Sequence, residues 1–268
     1  MRPSAGGNGL RPVAFLLQEL LKTHTWQQVA LGASLCQVFD LMPHGGGPCV
    51  YLKVSGPTSG CQVRRERDRL VWLRGRIPIP EVLGYVEYAG RQYLLTTGIA
   101  GVPASDPSLG GNLPRLVSLL AEGLKLIHAV PFEHCPFDAR LEVEVVRAHG
   151  RMVAGLADEE DFDPVRKGKT ARELYDMLIE TRPAREDLVF THGDYCLPNV
   201  IINDGEISGF VDLGSAGVGD RYRDLALAAR SIGGNLGLRW VRPFFQAYGI
   251  HDPDWARVEF YQLLDEFF

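Results

Sequence analysis

The stretch that decides the fold is VFTHGDYCLPNVIINDGEISGFVDLG, residues 189–214. Its Asp204-Gly205 pair lies between two apolar runs, and this arrangement predicts a two-residue β-hairpin turn. With that turn, Asn199 is predicted to pair with Phe210. Because side chains alternate along a strand, we expect Asn199 and Asp212 to be diagonal neighbours on one face.

Three polar side chains of this stretch have the spacing of phosphate chemistry. Asn199 and Asp212 offer oxygen atoms, which a hard cation such as Mg²⁺ prefers. Asp194 lies five residues before Asn199, and a carboxylate near a metal–phosphate site can orient and deprotonate an attacking hydroxyl. The Asp-x-x-x-x-Asn spacing matches the kinase catalytic loop, and Asp212-Leu213-Gly214 stands where kinases have Asp-Phe-Gly. The alternative is a structural hairpin with incidental acids.

A lysine and a glutamate in the first third of the chain form a second group. Alternation along a predicted strand at 49–54 puts Tyr51 and Lys53 on one face. In a helix predicted over 59–73, Glu66 is the one acid on the apolar stripe. A buried carboxylate needs a partner, and Lys53 is the candidate; such a pair holds the lysine toward ATP phosphates. The alternatives are a lysine that extends to solvent and a Glu66 that pairs with a nearby arginine.

The order of predicted elements indicates an α+β protein, in which a β-rich N-terminal lobe precedes a mostly helical C-terminal lobe. We expect the lobes to be residues 1–97, which bind nucleotide, and residues 98–268, which carry catalysis and substrate binding. Helices are also predicted over 11–21 and from Asp252-Pro253 onward. The remaining predicted strands are 29–41, 82–86 and 93–97.

Composition excludes several classes of function. The 268 residues carry a net charge of −5, which disfavours nucleic acid as a partner. No apolar run approaches the length of a membrane span, and residues 1–9 lack the apolar core of a signal peptide, so we expect a cytoplasmic protein without a membrane partner. The five cysteines are odd in number and include no CxxC pair, which disfavours a zinc site or a disulfide framework.

Several stretches together resemble the aminoglycoside phosphotransferases, in particular the 3'-phosphotransferases. The resemblance covers about residues 29–268, and its most specific stretches are Val189–Asp194, Ser208–Gly214, Glu173–Asp176 and Leu263–Phe268. It implies a protein-kinase-like bilobal fold and transfer of the ATP γ-phosphate to a hydroxyl of a kanamycin- or neomycin-like drug. Such a reaction confers antibiotic resistance, and we expect a monomer or a weak dimer.

The resemblance also implies roles for individual residues on the nucleotide side. Asp194 matches the catalytic aspartate, and the Mg²⁺ ligands match Asn199 and Asp212. The residues implied to contact ATP, by phosphate contact, adenine stacking or reading of the adenine edge, are Lys53 with its partner Glu66, Ser34, Tyr51, Thr97 and Ile99. His192 is expected to support the catalytic loop by hydrogen bonding, and His128 to be structural.

On the acceptor side, a polycationic aminoglycoside calls for clustered carboxylates. One candidate is the acidic run 158–163, and the other is the C-terminal helix, where acids oppose the helix dipole and so suggest that a cation is wanted. Both are also compatible with solvated, non-functional segments. The resemblance implies acceptor contacts at Asp161, Asp163, Arg230, Asp265, Glu266 and the carboxylate of Phe268.

Two departures from the family pattern concern the acceptor. Ser215 stands where the family usually has an arginine, and Gly233 and Gly234 stand where acids often follow Arg230. Other acceptors therefore remain open, such as a macrolide, a sugar or an amino alcohol. A catalytically silent nucleotide-binding protein on the same scaffold is the alternative from a different class.

Overall fold

The structure is a computed structural model that describes residues 18–29, 36–56 and 63–268. Residues 18–23 are helical; the rest of the helix predicted over 11–21 lies outside the described residues, and so does Ser34. By contacts the chain divides into two compact units. The sheet unit comprises Met1–Gly101 and Ile201–Gly214, and the helical unit comprises Val102–Val200 and Ser215–Phe268. The predicted lobes at 1–97 and 98–268 stay a prediction.

An antiparallel five-stranded sheet forms the body of the sheet unit. Its strands are β1 (His24–Val29), β2 (Cys36–Pro43), β3 (Val50–Ser55), β4 (Val82–Tyr88) and β5 (Arg91–Thr97), in the order β1-β2-β3-β5-β4. The last three were predicted to within a few residues. β1 was missed, because its polar sequence HTWQQV gives no clear alternation and it is held as an edge strand by its pairing with β2.

One hydrophobic cluster of the sheet unit lies on one face of this sheet. Its buried members are Leu20, Leu41, Leu52, Val54 and Leu95. The helix α1 (Val63–Leu73) buries its predicted stripe, with Val63, Glu66, Leu70 and Leu73 all enclosed. The periodic pattern therefore predicted correctly which way Glu66 points.

The hairpin at the centre of the sequence forms with the predicted turn. Its strands are β8 (Val200–Asn203) and β9 (Glu206–Phe210), and Asp204 and Gly205 both have positive φ, at 51° and 75°. The predicted strand position of Asn199 is wrong, since this residue ends a 3₁₀ turn, Leu197–Asn199. Asp212 likewise follows β9, so the inference from strand faces does not hold for these two residues.

The helical unit contains the remaining regular elements. Its helices are α2 (Leu113–His128), α3 (Leu141–Val153), α4 (Ala171–Glu180), α5 (Arg221–Asn235), α6 (Val241–Tyr248) and α7 (Trp255–Asp265). A short strand, β6 (Val102–Pro103), precedes them, and β7 (Leu188–Thr191) pairs antiparallel with β10 (Gly217–Asp220). The β7–β10 pair was not predicted, because each strand has only four residues.

Helix starts follow local capping chemistry. Asn112 caps α2 by accepting the Arg115 N–H at 3.2 Å, and Thr170 opens α4 with a capping box to Glu173. The C-terminal helix begins two residues later than predicted, because Asp254 rather than Asp252 accepts the Arg257 N–H.

Two expectations from composition can be compared with the described residues. Cys36 is disulfide-bonded, which the odd cysteine count did not suggest, whereas Cys49, Cys135 and Cys196 form no disulfide. Within residues 18–29, 36–56 and 63–268, no helix is long and apolar enough to cross a membrane.

Candidate active site

Lys53, Glu66 and Asp212 meet inside the sheet unit. Lys53 lies at the middle of β3, between Val38 and Leu94 of the neighbouring strands. Its Nζ donates to both carboxylate oxygens of Glu66 at 2.8 Å and to Oδ1 of Asp212 at 3.2 Å. The predicted Lys53–Glu66 pair therefore forms, and Asp212 joins it from the segment after β9.

Opposing effects set the charge states of this cluster. Burial would lower the pKa of Lys53, but the negative charges of Glu66 and Asp212 outweigh it and raise that pKa. Burial raises the pKa of Glu66, and the nearby Lys53 ammonium opposes this shift. Lys53 is thus firmly cationic, as a ligand for phosphate oxygens must be.

Backbone geometry brings Asp212 to this position. Asp212 has a left-handed φ of 61°, which is costly for a residue other than glycine and is found mainly where the surroundings over-determine it. The hairpin before it is fixed by the Phe210 N–H, which donates to the Pro78 carbonyl at 3.0 Å. At Gly209 an added Cβ would lie 3.0 Å from the Pro78 carbonyl oxygen and 2.6 Å from Cδ1 of Ile99, so the close approach of these segments favours glycine.

The predicted adenine residues lie together at the end of β3 and β5. The Gly98 N–H donates to the Cys49 carbonyl at 2.8 Å, and an added Cβ at Gly98 would lie 3.1 Å from Cε2 of Tyr51. The Tyr51 ring therefore flanks the chain next to Thr97 and Ile99. The Thr97 N–H donates to Glu81 at 2.9 Å, so any contact of Thr97 with an adenine edge has to use its carbonyl.

In the helical unit, the predicted catalytic loop, residues 192–199, follows β7. Gly193 has φ of +84°, and a Cβ there would lie 2.2 Å from the Ser215 carbonyl oxygen. No other residue fits this position without movement of the main chain. The buried Asp224 of α5 holds the loop, because its carboxylate accepts the His192 N–H at 2.7 Å and the Gly193 N–H at 2.8 Å.

Asp194 and Asn199 contact each other within this loop. Nδ2 of Asn199 donates to Oδ2 and to the main-chain oxygen of Asp194, both at 3.0 Å. This leaves the amide oxygen of Asn199 as the atom for its predicted contact with Mg²⁺. His192 accepts the Asp194 N–H on Nδ1 at 3.3 Å, so its predicted supporting role is present as a hydrogen bond.

Asp224 is a residue that the sequence reasoning missed. His128 Nε2 lies 3.0 Å from its carboxylate, and His128 Nδ1 lies 2.7 Å from the Tyr248 hydroxyl. Burial would raise the pKa of Asp224, but hydrogen bonds and the charges of His128 and His192 lower it overall. An acid among apolar residues of α5 was the available signal, since a buried carboxylate needs partners.

The predicted acceptor residues form a carboxylate–guanidinium network in the helical unit. Arg230 pairs with Asp265, and its Nη1 lies 3.5 Å from Oδ2 of Asp163. Burial would lower the pKa of Arg230, but the charge of Asp265 outweighs it, with Asp163 and Glu266 contributing, and the pKa is raised. The full network contains the residues Asp163, Arg166, Arg230, Glu259, Asp265 and Glu266.

Arg166 is the second residue that sequence reasoning missed. Its Nη1 donates to Asp163 at 3.0 Å and to Glu266 at 2.9 Å, and its Nη2 donates to Glu259. Arg166 lies in a loop without periodicity, and two of its three partners, Glu259 and Glu266, are distant in sequence, so no local pattern predicted the network around it.

The other two predicted acceptor residues lie at the margins of this network. Asp161 is exposed, next to the buried Phe162 that anchors its loop. Phe268 is 47% exposed, and its carbonyl accepts from Nη2 of Arg151 at 3.3 Å. Among the ion pairs of the described residues, none joins the Asp161 carboxylate or the main-chain oxygens of Phe268 to the network.

The predicted Mg²⁺ ligands offer oxygen atoms, which a hard cation prefers. Within the part of the chain that the structure describes, no group of three His, Cys, Asp or Glu side chains is placed to hold a metal by itself. Mg²⁺ usually takes one or two protein oxygens, with phosphate and water oxygens as the other ligands. The carboxylate of Asp212 and the amide oxygen of Asn199 are atoms of that kind.

Comparison with known proteins identifies the family of the chain. The model of the phosphotransferase enzyme family matches residues 26–261. The chain belongs to this family. It is 37% identical over 243 residues to an aminoglycoside 3'-phosphotransferase of Niallia circulans, a match that covers 89% of this chain and 90% of that relative.

Solved structures of the family extend the likeness to three dimensions. The crystal structure of an aminoglycoside-3'-phosphotransferase of type VIII has a TM-score of 0.84 at 33% identity, covering 97% of this chain and 100% of that one. Aminoglycoside phosphotransferase APH(3'')-Id of Streptomyces rimosus, in complex with ADP and streptomycin, has a TM-score of 0.78 at 28% identity, covering 96% and 98%.

These matches confirm the predicted family, its 3'-phosphotransferase type and its α+β, kinase-like fold. They also confirm the prediction of an enzyme that transfers phosphate to an alcohol group. The roles assigned to individual residues stay predictions.

Proposed function

We propose that this chain transfers the γ-phosphate of ATP to the 3'-hydroxyl of kanamycin- or neomycin-like aminoglycosides and thereby confers resistance to them. The observation that carries the proposal is the likeness, over about nine-tenths of the chain, to relatives named aminoglycoside 3'-phosphotransferase. We expect the reaction to take place in the cytoplasm, where ATP is available, with the enzyme as a monomer or weak dimer.

The geometry of the sheet unit supports the nucleotide half of this proposal. A cationic Lys53, held by Glu66 at 2.8 Å, is suited to bind the α- and β-phosphates, as the corresponding lysine of kinases does. Tyr51 is proposed to stack on adenine, with Thr97 and Ile99 beside it. Asn199 and Asp212 are the proposed Mg²⁺ ligands, and the bound ion would neutralise phosphate charge.

The helical unit supports the transfer half. Asp194 is oriented by Nδ2 of Asn199 at 3.0 Å and by a main chain fixed through Asp224. A carboxylate held in this way can accept the proton of the acceptor hydroxyl as the hydroxyl oxygen attacks the γ-phosphorus. Catalysis then consists mainly of positioning, so loss of the carboxylate should abolish turnover.

The test uses the purified full chain with kanamycin, ATP and Mg²⁺. Mass analysis should show one added phosphoryl group, and NMR should place it on the 3'-oxygen. Asp194→Ala should abolish the product. The matched control is Asp176→Ala, because Asp176 is an exposed acid that pairs loosely with Arg172 at 3.3 Å. Failure to phosphorylate any member of an aminoglycoside panel would refute the proposal.

A second acceptor class has an observation in its favour. The relative that was solved with ADP and streptomycin is a 3''-phosphotransferase at 28% identity, and Ser215 and Gly234 depart from the 3'-type pattern. Streptomycin therefore belongs in the panel with kanamycin and neomycin, and a macrolide, a sugar and an amino alcohol complete it. Turnover of streptomycin alone would replace the 3' assignment while leaving Asp194 as the catalytic residue.

A further inference from the structure

Arg166 is an arginine enclosed by acids. The residue is only 3% exposed, and its guanidinium contacts the carboxylates of Asp163, Glu259 and Glu266. An arginine is buried in this way only when its charge is matched by carboxylates in good geometry. The protein has therefore built a compensated site around this side chain.

The contacts of Arg166 join two segments that are distant in sequence. Its Nη1 reaches Asp163 in the acidic loop at 3.0 Å and Glu266 after α7 at 2.9 Å. The Asp163 N–H adds a second link, since it donates to Oε2 of Glu266 at 3.1 Å. The loop and the C-terminal turn are thus fixed to each other through one guanidinium and one main-chain hydrogen bond.

The exposed fractions of the carboxylates differ within the network. The side chain of Glu266 is only 4% exposed, whereas those of Asp163 and Asp265 are 28% and 26% exposed. Glu266 is therefore directed to Arg166, while Asp163 and Asp265 keep surface that an ammonium group can reach. Without the guanidinium, the charges of Asp163 and Glu266 would repel each other.

We propose that Arg166 is a positioning residue for acceptor binding, which holds Asp163 and the C-terminal turn in the arrangement that receives the amines of the drug. This inference rests on the proposed function, because it assumes a polycationic acceptor. Arg166 does not touch the acceptor; it acts through Asp163 directly, and on Asp265 through the turn that it fixes at Glu266. The positive charge of Arg166 also offsets part of the negative charge of the network, and the amines of a cationic ligand would offset the rest.

The experiment compares steady-state kinetics of the full-length wild type, Arg166→Met and Arg166→Lys with kanamycin and ATP. Arg166→Met keeps the volume but removes the charge, so the KM for kanamycin should rise about tenfold. The KM for ATP and kcat should stay within about twofold, because Lys53, Asp212 and Asp194 are untouched. Arg166→Lys should recover part of the kanamycin KM, since an ammonium keeps the charge but not the fork.

The matched control is Arg172→Met, because Arg172 is 73% exposed and pairs with the exposed Asp176. All kinetic constants of this variant should equal those of the wild type. If Arg166→Met does not fold, Arg166→Lys carries the test alone, with an expected rise of about threefold in the kanamycin KM.

The pH profile provides a readout that a merely structural role would not change. Burial raises the pKa of Glu266 above its usual value, and Arg166 opposes that shift alongside the Asp163 N–H. The other charged groups near this carboxylate are Asp163 and Arg230. Without Arg166 the pKa rises further, so Glu266 takes up its proton at a higher pH. In the wild type, protonation of Glu266 breaks its pair with Arg166, so the kanamycin KM should rise on acidification. In Arg166→Met there is no such pair, and the proton relieves the repulsion between Glu266 and Asp163, so this rise should be absent.

Three results would overturn the inference. One is a kanamycin KM within twofold of wild type in the folded variants, and another is a parallel change of kcat and both KM values. The third is a wild type that phosphorylates no aminoglycoside, which would refute the proposed function as well. An active wild type with an unchanged Arg166→Met refutes only the role of Arg166.

Discussion

Lys53 and Arg166 are both cations surrounded by carboxylates, yet the two clusters differ in the exposure of the cation and in the number of its acidic partners. The Lys53 side chain is 19% exposed and has two acidic partners, whereas that of Arg166 is 4% exposed and has three. Lys53 keeps surface through which a phosphate can reach it. Arg166 is enclosed, and the exposed groups around it are acids.

The difference lies in how far each cluster exposes its central cation. In the sheet unit Lys53 is 19% exposed and Asp212 is 50% exposed, so a phosphate can reach the cation while the carboxylate of Asp212 stays open to a metal ion. In the carboxylate–guanidinium network the central Arg166 is enclosed, and the partly exposed groups include Asp163, Asp265 and Arg230; the two open carboxylates suit a polycationic acceptor. Substitutions in the two clusters should therefore affect different kinetic constants.

The largest effect is expected from Lys53→Met, which removes the cation that Glu66 and Asp212 bind. By analogy with other charge-stabilising donors, kcat/KM for ATP should fall by about 10²–10³-fold. The kanamycin KM should change little. The matched control is Lys22→Met, because Lys22 is 68% exposed and pairs with the exposed Glu19. A loss confined to the kanamycin KM would invert the comparison between the two sites.

A smaller effect is expected from Glu66→Gln, which keeps the shape of the side chain that binds Lys53 but removes its charge. The amide oxygen of the new side chain could still accept one hydrogen bond from Lys53. We therefore expect kcat/KM for ATP to fall by about tenfold, as for loss of one charged hydrogen bond. Glu87→Gln serves as the control, since Glu87 is exposed and bonds only to Tyr85 among the contacts described for it. An effect equal to that of Lys53→Met would show that the position of Lys53 depends wholly on Glu66.

The smallest effect is expected from Asp265→Asn in the carboxylate–guanidinium network. It weakens the pair with Arg230 and removes one charge for the acceptor, so the kanamycin KM should rise about fivefold. The ATP kinetics should be unchanged. Asp252→Asn is the control, as an exposed acid close in sequence. A change in the ATP KM in the same variant would contradict the separation of roles.

Local periodicity explains which parts of these sites could be predicted. The stripe of α1 fixed the direction of Glu66, alternation in β3 fixed that of Lys53, and Asp204-Gly205 fixed the turn of the hairpin. Each of these predictions depends on a repeat or a turn within a dozen residues, where sequence spacing determines geometry.

The remaining features depend on contacts between distant segments. Arg166 meets Glu259 and Glu266 about a hundred positions away, and Asp224 meets the loop at His192 from a different helix. Asn199 was placed on a strand because the apolar run begins next to it, but the chain forms a 3₁₀ turn through Pro198 there instead. Spacing along the chain carries no information about such partners.

The main chain at Gly193 has a consequence for the evolution of this enzyme. With φ of +84° and the Ser215 carbonyl where a Cβ would be, the position tolerates no side chain without a shift of the catalytic loop. Because Gly193 is buried, a substitution there displaces the loop that carries Asp194. Variation that changes the range of drugs has to arise elsewhere in the chain.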